Sequence, residues 1–195
     1  KTLIKKIMLS ETYQRSSQSN KVNEAIDEDN QYFWRQNMKR LDAETLRDSI
    51  LAASGKLKTD IGGPGFNTRY DNSSYNRRTI YARVSRTAPD PMRLTFDFPS
   101  PSNSSPKRNV TTVPQQRLFY LNSEFIMEQA NVMTYRVLTH SKSPEARMDY
   151  MFKIAYGRSP DAQESNKLLP FFKSGNNLEA IAQALLVSNE FSYID

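Results

Sequence analysis

The chain has 195 residues, a net charge of +6, one histidine and no cysteine. This length can bury the core of one domain, and ten Phe and ten Tyr predict a folded chain and not a disordered one. The lack of cysteine excludes disulfides, thiolate metal sites, C-x-x-C-H haem attachment and cysteine nucleophiles. The sequence contains no run of roughly 18 apolar residues, so it predicts no membrane span.

The N-terminal segment predicts an amphipathic helix over residues 1–15, because Leu3, Ile4, Ile7 and Met8 recur on one face. Its apolar run is too short for a signal peptide. The segment looks like a helix entered midway and lacks an initiator Met, so we expect a fragment of a larger precursor. A polar break is expected over residues 16–30.

A second helical region is expected from about Asp29, with a restart at Asp42. Asp42 is a good N-cap, and Gly55 is placed to end the helix in the left-handed conformation. Between them the apolar residues recur at helical spacing: Leu46, Ile50 and Ala53.

The pattern changes between Gly62 and Ser105. The GGPG sequence predicts a turn and lacks the residues of a phosphate loop. Residues 78–86 alternate as a strand does, and residues 92–98 are a second strand candidate. The expected fold class is therefore mainly α: a single helical domain over residues 1–195, with a small irregular β insertion at about residues 62–105.

Helix signals divide residues 106–195, the C-terminal helical part. Helix starts are expected at Pro114, Ser123, Ser143–Glu145, Ser159–Asp161 and Asn177. Gly157 is expected to stop one helix, and Pro170 to end or kink the next. His140 stands at a predicted helix end, where a cation suits the helix dipole. A lone histidine with no G-x-S-x-G motif argues against serine-hydrolase chemistry and against a metal site.

Glu44, Arg47 and Asp48 are the candidates for catalysis. Glu44 and Asp48 are i,i+4 neighbours, so two carboxylates could share one helix face and do general acid/base work. The alternative is a structural ion-paired network with Arg35 and Arg47 as partners. We favour the network, because neither a histidine nor metal-ligand spacing accompanies the cluster.

An arginine-rich stretch at residues 69–93 carries six arginines against Asp71 and Asp90, interleaved with Tyr70, Tyr75 and Tyr81. Basic groups among aromatics are typical of surfaces that bind single-stranded nucleic acids and other polyanions. Alternatively, some of these arginines pair with internal acids, and Arg83 and Arg86 fall on opposite faces of the predicted strand. The candidate ligand-binding residues in this stretch are Arg77, Arg78, Arg83 and Arg86.

Arg108 and Asn109 are further ligand-binding candidates. With Thr111 and Thr112 they precede a predicted helix N-terminus, where backbone N–H groups can hold an anion.

Eight segments together resemble one family. They are SETYQRSS (10–17), NQYFWRQNMKRLDAETLRDSILAASG (30–55), GGP (62–64), RRTIY (77–81), FDFP (96–99), RNVTTVPQQRLFYLNSEF (108–125), AYGRSP (155–160) and LLVSNEFSYID (185–195). Their order and spacing are similar to those of the planctomycete-type family called domain of unknown function 1553.

The resemblance implies the C-terminal part of a large polypeptide exported to the periplasm or cell surface of a Gram-negative bacterium, from planctomycetes, Bacteroidetes or relatives. It also implies upstream domains, including a cytochrome-c-like haem domain. This chain has no C-x-x-C-H of its own, so any haem belongs upstream. The family supplies no catalytic residues to carry over.

Three functions remain open. The first is a non-catalytic accessory, binding or scaffold domain that contacts upstream domains or a partner subunit, with the arginine-rich stretch as the contact surface. The second is part of an enzyme or redox assembly completed by the upstream domains, with Glu44, Arg47 and Asp48 at the junction. The third is polyanion binding, to nucleic acid or to sulfated polysaccharide.

Overall fold

The computed structural model describes residues 1–67, 75–109, 111 and 113–194. The sequence candidates that lie outside the described residues are Arg69, Tyr70, Asp71 and Thr112. The contacts divide the chain into two compact units, Lys1–Arg40 with Tyr193–Asp195, and Leu41–Ser192. Helices dominate the described residues, with one small two-stranded sheet, which confirms the mainly α class.

The first unit contains two short helices and the sheet. Helix α1 spans Thr2–Met8 and α2 spans Lys21–Ile26. Strands β1 (Lys39–Arg40) and β2 (Tyr193–Ile194) pair antiparallel. The predicted helix over residues 1–15 is too long. It ends early because the Ser10 hydroxyl donates to the Ile7 carbonyl at 2.7 Å and accepts from the Tyr13 N–H at 3.3 Å, which replaces helical bonds with a turn.

The helix predicted from Asp29 does not form before strand β1. Residues 27–38 form an irregular loop, and α2 lies inside the predicted polar break. The Asp27 carboxylate accepts the backbone N–H groups of Gln31 and Tyr32, both at 2.8 Å. Asn30 and Phe33 both adopt φ of 55°. Aspartate and asparagine side chains that bind nearby backbone groups favour turns over helices, which explains the difference.

The second unit is helical. Its elements are α3 (Ala43–Ser54), a 3₁₀ turn (Thr79–Tyr81), α4 (Pro91–Thr95), α5 (Pro114–Asn122), α6 (Glu124–His140), α7 (Pro144–Tyr156), α8 (Ala162–Ser174), α9 (Leu178–Leu186) and α10 (Asn189–Ser192). Helix α6 packs against α3, α7 and α9 and forms the centre of the core. Fully buried side chains from these helices fill it, among them Leu46, Ile50, Ile126, Met133, Met151, Phe152 and Leu186.

Helix α3 has the ends that the sequence predicts. The Asp42 carboxylate accepts the Thr45 N–H at 2.8 Å, and Gly55 ends the helix with φ of 80°. A Cβ at Gly55 would also lie 3.3 Å from the Arg136 side chain, which donates to the carbonyls of Ala52 and Ala53 at 3.1 and 2.9 Å. Side-chain and backbone contacts therefore fix both ends of α3.

Both strand predictions between residues 62 and 105 are wrong. Residues 92–98 begin inside α4, because Asp90 caps the Met92 N–H at 2.9 Å and Pro91 takes the first helical position. Residues 78–86 hold the 3₁₀ turn and extended backbone. Among the described residues of this region, β pairing is limited to two isolated bridges, Lys58 with Arg77 and Phe66 with Ala82.

The helix starts predicted at Pro114, Ser123 and Ser143 are confirmed, and Gly157 ends α7 with φ of 74°. Helix α8 is capped by Asp161, with Glu164 completing a capping box, so the predicted Ser159 cap is wrong. Pro170 lies inside α8, which continues to Ser174.

Helix α9 begins after Asn177, as predicted. Asn177 stands at the N-cap of α9, but with φ of 58° and no side-chain cap bond. The helix ends at Leu186, and α10 follows as a separate turn. His140 is the last residue of α6, as predicted, and its ring stacks on Tyr150 at 3.7 Å between centroids.

Candidate functional site: an arginine-rich loop held by helix α3

The buried guanidinium of Arg47 fixes the backbone of the loop that follows residue 74. Arg47 is 6% exposed. Its Nη1 donates to the Arg77 carbonyl at 3.1 Å and to Thr79 Oγ1 at 3.2 Å, and its Nη2 donates to the Tyr75 carbonyl. The guanidinium carbon also lies 5.6 Å from the centroid of the Phe125 ring. One helix residue therefore binds three alternate positions of the loop, residues 75, 77 and 79.

Asp48 binds the same turn from the next position of α3. Its carboxylate accepts the Thr79 N–H at 2.8 and 3.1 Å, and it accepts the Thr79 hydroxyl at 2.6 Å. The Thr79 hydroxyl thus donates to Asp48 while it accepts from Arg47. The Arg47 and Asp48 charges are 3.8 Å apart. The result is a closed network of a cation, an anion and a hydroxyl.

Burial lowers the pKa of Arg47 from its usual value, and the nearby Asp48 carboxylate opposes that shift. An arginine pKa is so high that the guanidinium stays charged across the physiological range. A buried charge needs every one of its acceptors, because desolvation is costly. The Arg47 acceptors in the loop are therefore part of the fold's stability.

Glu44 is held by a different arginine. The Arg108 guanidinium donates two hydrogen bonds to it, both of 2.8 Å, and lies 3.5 Å from the Asp42 carboxylate. The bond to Glu44 raises the pKa of Arg108. Arg35, the other expected partner of the cluster, instead donates to Asn37 at 3.1 Å. Each of the two candidate carboxylates therefore has its own structural partners.

The other end of the loop is anchored by Arg93, which is 5% exposed. Its Nη1 donates to the Arg83 carbonyl at 3.3 Å, and its Nε lies 3.6 Å from the Asp90 carboxylate. Arg77 binds the turn at residues 62–64: it donates to the Pro64 carbonyl at 2.7 Å and to the Gly62 carbonyl. We name residues 75–86 the arginine loop.

Arg78, Arg83 and Arg86 are the exposed arginines of the arginine loop. Among the residues that the structure describes, none of the three guanidinium groups has a hydrogen bond or an ion pair. The buried Arg47 and Arg93 bind the backbone at Tyr75, Arg77 and Arg83, and Arg86 follows three residues after the last of these positions. The described part of the chain therefore presents three exposed cations on or next to an anchored segment.

The segment before α5 is already occupied by a carboxylate. Asp97 accepts the Thr111 N–H at 2.7 Å and the Thr111 hydroxyl at 2.8 Å. Asn109 is exposed and borders a separate cavity of about 390 Å³. Arg108 is paired with Glu44. Among the described residues, Arg108 and Asn109 therefore do not share a cavity with the exposed arginines of the loop.

A cavity of about 620 Å³ lies between α3 and the arginine loop. Its lining includes Glu44, Asp48, Ser49, Arg78, Ile80 and Phe98. No local pattern in the sequence marks Ser49, Thr79 or Ile80 as site residues. The loop and α3 come into contact although about thirty residues separate them in the sequence. Only the arginines could be found from composition alone.

Two classes of feature are missing from the described part of the chain. No group of three or more His, Asp or Glu side chains there could hold a metal ion. None of the helices described combines the length and the apolar character needed to cross a bilayer.

Comparison with known proteins gives one family. No curated protein and no solved structure matches the chain. Its sequence matches the family described as "Protein of unknown function (DUF1553)" over residues 1–172. That range contains seven of the eight segments that carry the resemblance, and residues 185–195 lie beyond it. The chain therefore belongs to the DUF1553 family.

Proposed function

We propose that this chain is a non-catalytic binding domain that contacts an anionic polymer through Arg78, Arg83 and Arg86. The observation that carries the proposal is the set of three exposed guanidinium groups without described intramolecular partners, on backbone anchored by Arg47 and Arg93. A fixed backbone loses little conformational freedom on binding, so more of the electrostatic attraction appears as affinity.

The spacing of the arginines favours a polymer over a small anion. Arg78 and Arg83 are five positions apart, and Arg83 and Arg86 are three apart. An extended chain spans at most about 3.6 Å per residue and the 3₁₀ turn at Thr79–Tyr81 rises only about 2 Å per residue, so the three Cα atoms can spread over at most about 24 Å. One small anion cannot contact cations so distributed, whereas a chain with repeated charges can contact all three.

The candidate catalytic carboxylates support a structural role. Asp48 binds Thr79, and Glu44 binds Arg108. An acid or base in catalysis must be able to reach a substrate proton, and both groups already accept strong hydrogen bonds from the scaffold. We therefore assign Arg47 and Asp48 to holding the arginine loop in place, and Glu44 to pairing with Arg108.

The setting that we propose is an exported protein of the bacterial periplasm or cell surface. Support comes from the family resemblance, which implies upstream domains and a cytochrome-c-like haem domain among them. In that setting this domain is an accessory module, and the upstream domains are its nearest partners. Any haem would be held by those domains.

Replacing Arg78, Arg83 and Arg86 together with glutamine should weaken binding of fluorescein-labelled chondroitin sulfate at least ~10-fold in about 0.15 M salt, because three charge contacts are lost. Fluorescence anisotropy measures the change. The matched control replaces Lys142, Lys167 and Lys173 with glutamine, which removes the same charge from exposed positions in the α7–α8 region.

The control should bind within about twofold of the unaltered protein, since screening removes most long-range attraction. Equal losses in the two variants would show that net charge alone drives binding. That result, or no binding by the unaltered protein, would contradict the proposal.

A further inference from the structure

We infer that the cavity between α3 and the arginine loop receives a hydroxyl-bearing sugar residue of the anionic polymer, which makes the ligand an acidic polysaccharide. This inference rests on the proposed function and names the class of ligand. The inference depends on which polar groups of the cavity are already hydrogen-bonded, on the apolar lining of the cavity, and on the charges around it.

Arg78 joins the cavity to the binding surface. It lines the cavity and is exposed, and it has no described partner for its guanidinium. The other arginine of the lining, Arg93, is buried beside Asp90. An anionic group on the ligand therefore meets Arg78 at the edge of the cavity, and the neighbouring part of the same ligand residue lies against the lining.

The cavity offers hydroxyl groups that no described side chain or backbone group binds. Thr45 and Ser49 lie on the face of α3 that lines it, and their hydroxyls have no hydrogen bond among the described residues. A hydroxyl donates one hydrogen bond and accepts two. These groups match the alternating donors and acceptors of a sugar.

Asp48 adds an acceptor, and the three carboxylates of the lining, Asp42, Glu44 and Asp48, set a condition on the ligand. A carboxylate can accept about four hydrogen bonds, and Asp48 Oδ2 accepts only the Thr79 N–H, at 3.1 Å, among the bonds described. Such oxygens attract hydroxyl donors and repel anionic groups, sulfates and phosphates alike. A polyanion that enters beside them must therefore carry hydroxyl groups between its charges.

The remaining lining is apolar and suits the C–H faces of a sugar ring. Ile80 and Val84 line the cavity and are 73% and 48% exposed. The volume of about 620 Å³ falls within the range of about 300–1,000 Å³ that small-molecule pockets occupy. The cavity can thus hold ring-sized groups.

Single-stranded nucleic acid fits these groups less well. It binds by stacking its bases on free aromatic faces. Phe98 is the aromatic ring of the described lining, and the guanidinium carbons of Arg93 and Arg108 lie 5.4 and 5.2 Å from its centroid. A base would have to displace these arginines from their carboxylate partners.

The test compares two sulfated polymers on the whole chain. Chondroitin sulfate carries free hydroxyls, and polyvinyl sulfate carries none. At equal sulfate concentration, we expect the protein to bind chondroitin sulfate at least ~10-fold more tightly, which corresponds to about 1.4 kcal/mol. Labelled oligothymidylate and polyphosphate serve as further competitors and should bind no better than polyvinyl sulfate.

The variant Ala52→Leu narrows the cavity without changing charge, because Ala52 is an exposed α3 residue that lines it. It should reduce the preference for chondroitin sulfate to about twofold or less and leave the affinity for polyvinyl sulfate unchanged. The matched control is Ala180→Leu on the exposed side of α9, which should keep the preference. Circular dichroism and urea unfolding confirm that both variants fold.

An equal affinity for the two sulfated polymers, or a preference that survives Ala52→Leu, would overturn the sugar inference and leave polyanion binding intact. An oligothymidylate affinity above that of chondroitin sulfate would also overturn it. By contrast, if the triple arginine replacement left the affinity for both polymers unchanged, the proposed function itself would be overturned.

Discussion

Replacing Arg47 with methionine should lower the free energy of unfolding by about 3–5 kcal/mol, the usual cost of removing one partner from a buried charge network. Methionine can fill much of the space beside Phe125, so the loss reports hydrogen bonds more than packing. The variant leaves the carbonyls of Tyr75 and Arg77 and the Thr79 hydroxyl without their donor. Urea unfolding followed by circular dichroism measures the change.

Arg108→Met is the matched control, because Arg108 also pairs with a carboxylate of α3 but its side chain is 42% exposed. Exposed ion pairs contribute about 0–1 kcal/mol, so this variant should unfold close to the unaltered protein. If Arg47→Met lowered the free energy of unfolding as little as Arg108→Met, the buried network would not be what holds the arginine loop.

Asp48→Ala should lower the free energy of unfolding by about 3 kcal/mol, since it removes charge-assisted hydrogen bonds and leaves Arg47 without its anion. The lost bonds all end on Thr79. A double-mutant cycle with Thr79→Val should therefore give a coupling energy of about 1–3 kcal/mol. Urea unfolding of the two single variants and the double variant provides the cycle.

Glu44→Gln tests whether this cost is specific to Asp48. Glu44 is on the same helix, four residues earlier, but its partner Arg108 is largely exposed, so the replacement should cost less than about 1 kcal/mol. Additive effects of Asp48→Ala and Thr79→Val would show that the two residues do not act together, against the structural role that we assign.

Local signals in the sequence predict the helices well where caps and periodicity agree. Asp42 and Gly55 set both ends of α3, and Ser143 and Gly157 set both ends of α7. The errors occur where side chains bind backbone. Asp27 turns the chain where a helix was expected, and the capping of α4 by Asp90 overrides an alternation typical of a strand.

The candidate site could be predicted only in part. Composition identifies the exposed arginines, including Arg78 and Arg83, but it cannot separate them from Arg77, which binds the carbonyls of Gly62 and Pro64. The contact between Asp48 and Thr79 joins residues thirty-one positions apart, and no local pattern announces it. Asp48 and Thr79 both line the cavity, so the sequence alone could not reveal it.

The most direct test of the central claim is the salt dependence of chondroitin sulfate binding, measured for the unaltered protein and for the triple glutamine variant of Arg78, Arg83 and Arg86. In nucleic-acid complexes each neutralised charge contributes about 0.7–0.9 to the slope of log affinity against log salt. We expect a comparable value here, so the triple variant should show a slope smaller by about 2. The same slope in both proteins would contradict binding through the arginine loop.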